Sequence, residues 1–284
     1  MPVISKQTAT SKRVARTGGV VDRIAPIGFD SEGIKMLLYG ESGTGKTTFW
    51  ATAPGPILAV VCSGGNQPGE LRSVDTPEYR KKISQVTIAS SDELRELIPY
   101  VRDSGKFATV VLDHASGLQD LILKELLGLE EIPVQKSFGL ASMQIYAQCA
   151  QMCKEYLRGL LSTDLNVVIV AHQRTFGGKD DGMDPDLIKP TVGAGMVPSL
   201  TSWINGACDY IVQTFKKEKW STKRTEVNKK IVETRVREKG IEYALRTGPH
   251  EVYYTKFRVP RGTKLPEYIV DPDFDKVSKL IHGG

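Results

Sequence analysis

The sequence predicts an α/β fold with a mostly parallel central sheet flanked by helices and a C-terminal β-hairpin. Short segments that are apolar on both faces alternate with segments of helical period, which is the pattern of a parallel sheet covered on both sides. One apolar segment runs into a glycine-rich loop and then into a helix-compatible segment, LLYGESGTGKTTF, over Leu37–Phe49. A chain of 284 residues is long enough for one large α/β domain or two small ones.

The ordered part is predicted to begin near Ile34. Residues 1–32 mix Ser, Thr, Gly and basic residues with little periodicity, so we expect a flexible basic arm there and one domain over residues 33–284. Strands are predicted at KMLLYG, PILAVV and QVTIAS, and KTTFWATA opens a helix after the glycine loop. The segment SSDELRELIPYVRDSG has a serine cap, acids in its first turn and a closing Gly105, which together predict a helix.

The second half of the chain continues the alternation. Thr109–Leu112 is a predicted strand that leads through a polar tip into an amphipathic helix, and a long helix, LASMQIYAQCAQMCKEYLRGLLSTD, precedes the apolar strand LNVVIVAHQR. Thr175–Leu200 is rich in Gly, Pro and Asp, and a loop of that length is expected to be functional or disordered. CDYIVQTF is a predicted strand, and IEYALRT and EVYYTKFRV around the turn GPH predict the C-terminal β-hairpin.

The net charge of +5 is modest, but the basic residues are clustered. Residues 1–20 contain Lys6, Lys12, Arg13 and Arg16 and no acid, and Lys216–Lys239 is again rich in Lys and Arg. Two interpretations stay open, a polyanionic partner such as nucleic acid and a solvated basic face.

Composition also bears on metal sites and on membranes. The four cysteines, Cys62, Cys149, Cys153 and Cys208, occur without a CxxC spacing. Cys149 and Cys153 are four residues apart on a predicted helix, which favours two buried thiols over a metal pair. No apolar run approaches eighteen residues and the N-terminus lacks the apolar core of a signal peptide. We therefore expect a cytoplasmic protein without a membrane partner.

The glycine loop matches the phosphate-binding pattern G-x-x-x-x-G-K-[ST]. Glycines let backbone N–H groups curl around a phosphate, Lys46 is expected to reach the β- and γ-phosphates, and the Thr47 hydroxyl to bind Mg²⁺. The predicted cofactors are therefore ATP and Mg²⁺. The predicted nucleotide-binding residues are Gly40, Glu41, Ser42, Gly43, Thr44, Gly45, Lys46, Thr47 and Thr48.

Such a site also needs a carboxylate that helps to hold Mg²⁺, at the end of a strand next to the loop. Asp113 follows the strand residues TVVL in TVVLDHAS and is the predicted metal-binding residue beside Thr47. Asp113 and Lys46 are also predicted to be catalytic. The alternative is that Asp113 caps the following helix. His114 is expected to be a polar tip residue.

These features in this order resemble the RecA-like P-loop ATPases, the branch that contains RecA, the DnaB-type helicases and KaiC. The resemblance implies that Gln173, at the end of VVIVAHQR, senses the γ-phosphate, and that Thr175–Leu200 holds a DNA-binding loop. A core glutamine is the alternative. YTKFRVPRG resembles the K-x-R pair of RadA- and DnaB-like members, which implies that Lys256 and Arg258 reach the nucleotide of a neighbouring subunit and that the protein oligomerises. Two exposed strand cations are the alternative.

More narrowly, residues 34–262 resemble phage Sak-type single-strand annealing ATPases. The resemblance implies an ATPase that acts on single-stranded DNA in recombination or annealing, as a ring or filament, with a single-strand DNA-binding protein as a further candidate partner. Phe176, Trp203 and Trp220 are candidates for stacking on bases. Two alternatives are a KaiC-like regulatory ATPase with a protein partner and a DnaB-like helicase motor.

One position departs from the family pattern. Relatives commonly carry a glutamate just past the second strand, where this chain has Cys62 and Ser63. Glu70 and Glu41 are the candidate substitutes, and spacing assigns neither. We therefore expect hydrolysis to be slow.

Overall fold

The computed structural model describes residues 33–62, 71–129, 142–177, 190–227 and 230–283, all within the unit Glu32–Gly284. The arm predicted for residues 1–32 lies outside these residues. Within the described ranges, no helix has the length and apolar character that crossing a bilayer requires.

Ten strands and seven α-helices occur among the described residues. The strands are β1 (Lys35–Gly40), β2 (Ile57–Val61), β3 (Ile83–Thr87), β4 (Thr109–Asp113), β5 (Asn166–Phe176), β6 (Thr191–Ala194), β7 (Tyr210–Val227), β8 (Lys230–Arg246), β9 (Lys256–Phe257) and β10 (Tyr268–Val270). The helices are α1 (Lys46–Ala51), α2 (Pro77–Lys82), α3 (Ser91–Ser104), α4 (Ala115–Leu127), α5 (Met143–Leu161), α6 (Pro198–Ala207) and α7 (Phe274–His282), with a 3₁₀ helix at Arg72–Val74.

The sheet has the strand order β10-β8-β7-β1-β5-β4-β2-β3, with β6 paired to β5 and β9 paired to β7. The six strands from β7 to β3 are parallel to one another, whereas β8 and β10 add antiparallel pairs at one edge. The predicted α/β fold with a mostly parallel central sheet is therefore confirmed. β1 lies in the middle of the sheet, and β5 separates it from β4.

Both faces of the parallel strands are buried, which is why these strands read as continuous apolar runs. Side chains of β1 alternate between the two cores, with Leu37 and Tyr39 on one face and Met36 and Leu38 on the other. The first core is covered by α3, α4, α5 and α6, and the second by α1 and α7. Each fully buried aliphatic side chain contributes roughly 1.5–3 kcal/mol to folding, so the sheet is fixed from both sides.

The predicted helix signals operate as expected in α3. Ser90 is the N-cap, and its hydroxyl oxygen accepts a hydrogen bond from the Glu93 backbone N–H at 3.3 Å. Gly105 ends the helix with a φ of 63°, in the left-handed region where glycine carries no steric penalty. Cys149 and Cys153 are buried, as predicted, and Cys62 and Cys208 are buried as well, with no disulfide among the four.

The C-terminal β-hairpin is present, but its strands are not the pair that the turn GPH predicted. IEYALR belongs to β8, which pairs with β7 on one side and β10 on the other, while β9 pairs with the start of β7. After β8 the backbone N–H groups of Thr247 and Gly248 both donate to the Glu267 carbonyl at 3.0 Å. This contact ties the end of β8 to the segment that precedes β10, so the chain does not fold back on β8 at the GPH turn.

Candidate nucleotide-binding site

The glycine-rich loop joins the carboxyl end of β1 to the first turn of α1. Gly43 and Gly45 have φ values of 70° and 89°, a region that favours glycine because it has no Cβ. Gly45 is also the N-cap of α1, and its carbonyl accepts from the Phe49 backbone N–H at 2.9 Å. A turn with such successive glycine conformations exposes backbone N–H groups, which is the concave arrangement that binds anions.

The start of the loop is held against β7. A Cβ on Gly40 would lie 2.3 Å from Thr214 Oγ1 and 2.5 Å from the Thr214 carbonyl oxygen, so only glycine fits there. The hydroxyls of Thr44 and Thr214 are 2.7 Å apart, and both side chains are buried. The Thr44 hydroxyl also donates to the Glu41 carbonyl at 2.7 Å. The loop is therefore stabilised by contacts with β7, a strand that the sequence pattern of the phosphate loop does not include.

Lys46 lies at the mouth of this loop. Its ammonium donates to the carbonyl oxygens of Gly40 at 2.9 Å and Glu41 at 2.8 Å. Burial lowers the pKa of Lys46, while the carboxylates of Asp113 and Glu41 raise it in part. The ammonium is thus held at the loop and interacts electrostatically with the Asp113 carboxylate.

Asp113 ends β4 at the same edge of the sheet and is 9% exposed. Burial raises the pKa of Asp113, while the neighbouring Trp50 indole and the Lys46 ammonium lower it in part. The buried Trp50 Nε1 has no hydrogen-bond partner of good geometry among the described residues, so its effect on Asp113 is electrostatic. The N-cap of α4 is His114, which shows that the alternative reading of Asp113 as the helix cap is wrong.

Two histidines lie beside these groups, and sequence reasoning missed the second. His114 Nδ1 accepts from the Gly117 backbone N–H at 2.8 Å, and the rings of His114 and His172 pack with centroids 4.3 Å apart. Burial is the main reason that the pKa of His114 falls to about 4, and burial also lowers the pKa of His172. Both imidazoles are therefore neutral at pH 7 beside the Lys46 charge.

Gln173 faces the loop from β5. Its Nε2 lies 3.4 Å from Glu41 Oε1, and its Oε1 accepts from Gln213 Nε2 at 2.8 Å. Gln213 in turn accepts from Arg246 Nε at 3.1 Å. With Thr214 and Phe215, these groups line a cavity of about 240 Å³ next to the loop. No local motif marks Gln213 or Arg246, because the register of β7 and β8 brings them here.

The residues present fit a magnesium–triphosphate group. The Thr47 hydroxyl and the Asp113 carboxylate are hard oxygen donors of the kind that Mg²⁺ prefers. The glycine cradle and the Lys46 ammonium suit the charge of the phosphates.

Lys256 and Arg258 lie away from the loop of their own chain. β9 pairs with Tyr210 and Ile211 at the beginning of β7. The loop starts at Gly40, which pairs with Thr214 further along β7. Arg258 Nη1 binds Asp209 Oδ1 at 2.5 Å. The Lys256 ammonium donates to carbonyls at the end of α6, those of Asn205 at 3.1 Å and Gly206 at 3.3 Å, and to that of the C-cap residue Cys208 at 2.6 Å. This helix-capping contact was not predicted, and the role of both cations toward a neighbouring subunit stays a prediction.

Several sequence hypotheses fall partly outside the described residues. Glu70 lies in residues 63–70, so of the two candidate glutamates only Glu41 can be placed. Within Thr175–Leu200, residues 178–189 are not described, and the flanks are regular structure because Gln173–Phe176 pairs antiparallel with β6. The Cys62 backbone N–H donates to the Asp113 carbonyl at 2.9 Å, which places the end of β2 beside this residue.

The basic segment Lys216–Lys239 forms most of the β7–β8 hairpin. Near its base, Lys217 pairs with Glu242 at 3.2 Å and Lys219 with Glu238 at 3.3 Å, so part of its charge is neutralised within the strands. The Lys216 ammonium lies elsewhere, 3.4 Å from the position that a Cβ on Gly43 would take. One cation of the basic segment is therefore directed at the phosphate loop.

Comparison with known proteins gives a family and likenesses among solved structures. The sequence matches the AAA domain family over residues 32–259. A search of curated proteins found no match. Among solved structures, the flagellar accessory protein FlaH from Methanocaldococcus jannaschii is similar at 9% sequence identity, with 84% of this chain and 87% of that chain covered and a TM-score of 0.40.

Proposed function

The chain belongs to the AAA domain family, and from that premise we propose that it is a P-loop ATPase that acts on single-stranded DNA in recombination or annealing. The observation that carries the ATPase part is the convergence of Lys46, Asp113 and Gln173 on one glycine loop. An ammonium, a metal-side carboxylate and a neutral amide are the groups that position and stabilise a transferring phosphoryl group. The bound nucleotide with Mg²⁺ supplies the reacting phosphate.

The DNA part of the proposal is supported by the charge of the β7–β8 hairpin. Between positions 216 and 239 the sequence has ten Lys and Arg residues against four Glu residues. Binding without sequence preference needs mainly such cations and a few aromatic side chains. Trp220 on β7 is 49% exposed and stays a candidate for stacking, whereas Trp203 packs against the core under the Arg158 guanidinium, 5.7 Å from its ring.

The test is single-strand binding measured with and without a non-hydrolysable ATP analogue at several salt concentrations. Each neutralised phosphate lowers the logarithm of affinity by about 0.7 per tenfold rise in salt. We expect a roughly 100-fold loss between 50 and 200 mM salt if about five phosphates are neutralised. We also expect the analogue to change the affinity, and Lys46→Ala to abolish that change. Affinity that responds to neither salt nor nucleotide would reject the DNA proposal.

A regulatory ATPase with a protein partner is the second candidate. The observation that favours it is a set of exposed apolar side chains near the base of the hairpin, namely Trp220, Ile241 and Tyr243. Exposed apolar side chains next to cations that are already paired within the strands are suited to contact with a partner protein. Crosslinking separates the candidates, because DNA contacts mapped to Thr175–Lys239 favour the first and their absence favours the second.

We also propose that the active form is a homo-oligomer, ring or filament, in which Lys256 and Arg258 of one copy approach the nucleotide of the next. Their distance from the loop of their own chain supports this arrangement. Mass photometry with an ATP analogue, with and without an oligonucleotide, measures the assembly directly. A protein that stays monomeric in every condition would reject it.

A further inference from the structure

A chain of hydrogen bonds runs from β8 to the phosphate loop. It begins at Arg246, whose Nε donates to Gln213 Oε1 at 3.1 Å, and continues as Gln213 Nε2 donates to Gln173 Oε1 at 2.8 Å. It ends where Gln173 Nε2 faces Glu41 Oε1 at 3.4 Å. Gln213 is 2% exposed and Arg246 8% exposed, so the first two members are shielded from water.

The direction of this chain is fixed at both ends. A guanidinium has only donors, so the side-chain atom of Gln213 that faces Arg246 must be its carbonyl oxygen. The amide nitrogen of Gln213 then faces Gln173, and Gln173 must in turn present its own oxygen. The N–H groups of Gln173 are left to point at the loop, where they face the oxygen atoms of the Glu41 carboxylate, which accept hydrogen bonds.

Arg246 is itself held rigidly, so it can serve as the fixed end. Its Nη1 binds Glu267 Oε1 at 2.8 Å. Its guanidinium carbon lies 4.6 Å from the centroid of the Phe215 ring and 4.9 Å from that of Tyr253. A cation placed between two rings and a carboxylate has little freedom to rotate.

We infer that Gln213 and Arg246 are positioning residues that hold the Gln173 amide with its N–H groups toward the terminal phosphate of a nucleoside triphosphate. This inference rests on the proposed nucleotide site. The 3.4 Å contact with Glu41 is long, so an oxygen of a γ-phosphate competes well for the same N–H groups. A diphosphate lacks that oxygen. Gln213 therefore contributes to discrimination between triphosphate and diphosphate and leaves diphosphate affinity unchanged.

The test compares Gln173→Met, Gln213→Met and the double variant, with the dissociation constants of a non-hydrolysable ATP analogue and of ADP as the readout. We expect each single variant to lower the preference for the triphosphate on the order of 10-fold, as the loss of a hydrogen bond to a charged group does. ADP affinity should stay unchanged. The double variant should match Gln173→Met alone, because Gln213 acts only through Gln173.

Gln151→Met on the exposed face of α5 is the matched control and should change neither affinity. If Gln213→Met does not fold, Gln213→Glu replaces it, since a carboxylate still accepts from Arg246 and cannot donate to Gln173. Its effect on the preference should then be larger with Gln173 present than in the Gln173→Met background.

Three results would overturn the inference. They are an unchanged preference in the Gln213 variant, an equal loss of ATP-analogue and ADP affinity, and equal effects in both Gln173 backgrounds. The failure of the proposed function looks different, because the unmodified protein would then bind neither nucleotide. A Gln173→Met variant that loses the preference while Gln213 variants keep it would reject the positioning role alone.

Discussion

At the scale of single residues, Gly40 shows how the loop depends on contacts that the phosphate-binding pattern does not describe. The Gly40→Ala methyl group would lie 2.3 Å from Thr214 Oγ1 and 2.5 Å from the Thr214 carbonyl, so β1 and β7 would have to separate. We predict a loss of about 1–3 kcal/mol in unfolding free energy, as for other overpacked sites. Urea unfolding measures it.

Gly206→Ala is the matched control, because nothing lies within 4 Å of the added methyl group and the position is inside α6. It should be neutral or stabilising by up to about 1 kcal/mol. Equal stability of the two variants would contradict the close contact at Gly40.

Lys216 and Lys217 are adjacent, yet their ammonium groups have different surroundings. The Lys216 ammonium lies near Gly43 of the loop, whereas Lys217 pairs with Glu242 at 3.2 Å. We predict that Lys216→Ala weakens ATP-analogue binding roughly 3- to 10-fold, since a partly exposed charge near a phosphate is worth about 1 kcal/mol. Isothermal titration calorimetry measures the change.

Lys217→Ala removes the same charge from the other face of β7 and serves as the comparison. It should leave the affinity within about twofold, because the paired ammonium is directed away from the loop. A larger effect at Lys217 than at Lys216 would mean that only the long-range charge of the hairpin matters.

At the scale of elements, the parallel strands and α3 were predictable because their signals are local. Continuous apolar runs, a serine cap and a closing glycine are read from a few neighbouring residues. The partner of a strand is not a local property, and the GPH turn therefore predicted the wrong hairpin. The same holds for the site. Sequence spacing identified Lys46 and Asp113, whereas Gln213 and Arg246 reach the site only through the register in which β7 and β8 pair.

Helix α6 depends on a cation from β9. The Lys256 ammonium donates to three carbonyl oxygens at the end of the helix, where partial negative charge accumulates. We predict that Lys256→Ala lowers the unfolding free energy by about 1 kcal/mol and leaves ATP-analogue binding by the monomer unchanged. Thermal unfolding and nucleotide titration measure the two effects.

Lys264→Ala, at an exposed position between β9 and β10, is the control and should stay within about 0.5 kcal/mol of the unmodified protein. Unchanged stability of Lys256→Ala would show that the capping contact contributes nothing.

At the scale of the whole molecule, the loop and the Lys256–Arg258 pair lie at different levels of the sheet. Thr214 beside the loop is three residues further along β7 than Ile211, the partner of Lys256, which is about 10 Å along a strand. Both cations already bind groups near the start of β7. A contact between these cations and a nucleotide is therefore more readily made across two copies than within one.

Mixing two defective variants tests this arrangement. Lys46→Ala removes the loop cation and Arg258→Ala removes the cation proposed to act on the neighbour, so each variant alone should lack ATPase activity. In a head-to-tail assembly of equal parts, about a quarter of the interfaces join an intact loop to an intact Arg258. We predict that mixing restores about that fraction of the activity of the unmodified protein, measured as phosphate release. If mass photometry shows that both variants assemble together and no activity returns at any ratio, Arg258 does not act on a neighbouring site.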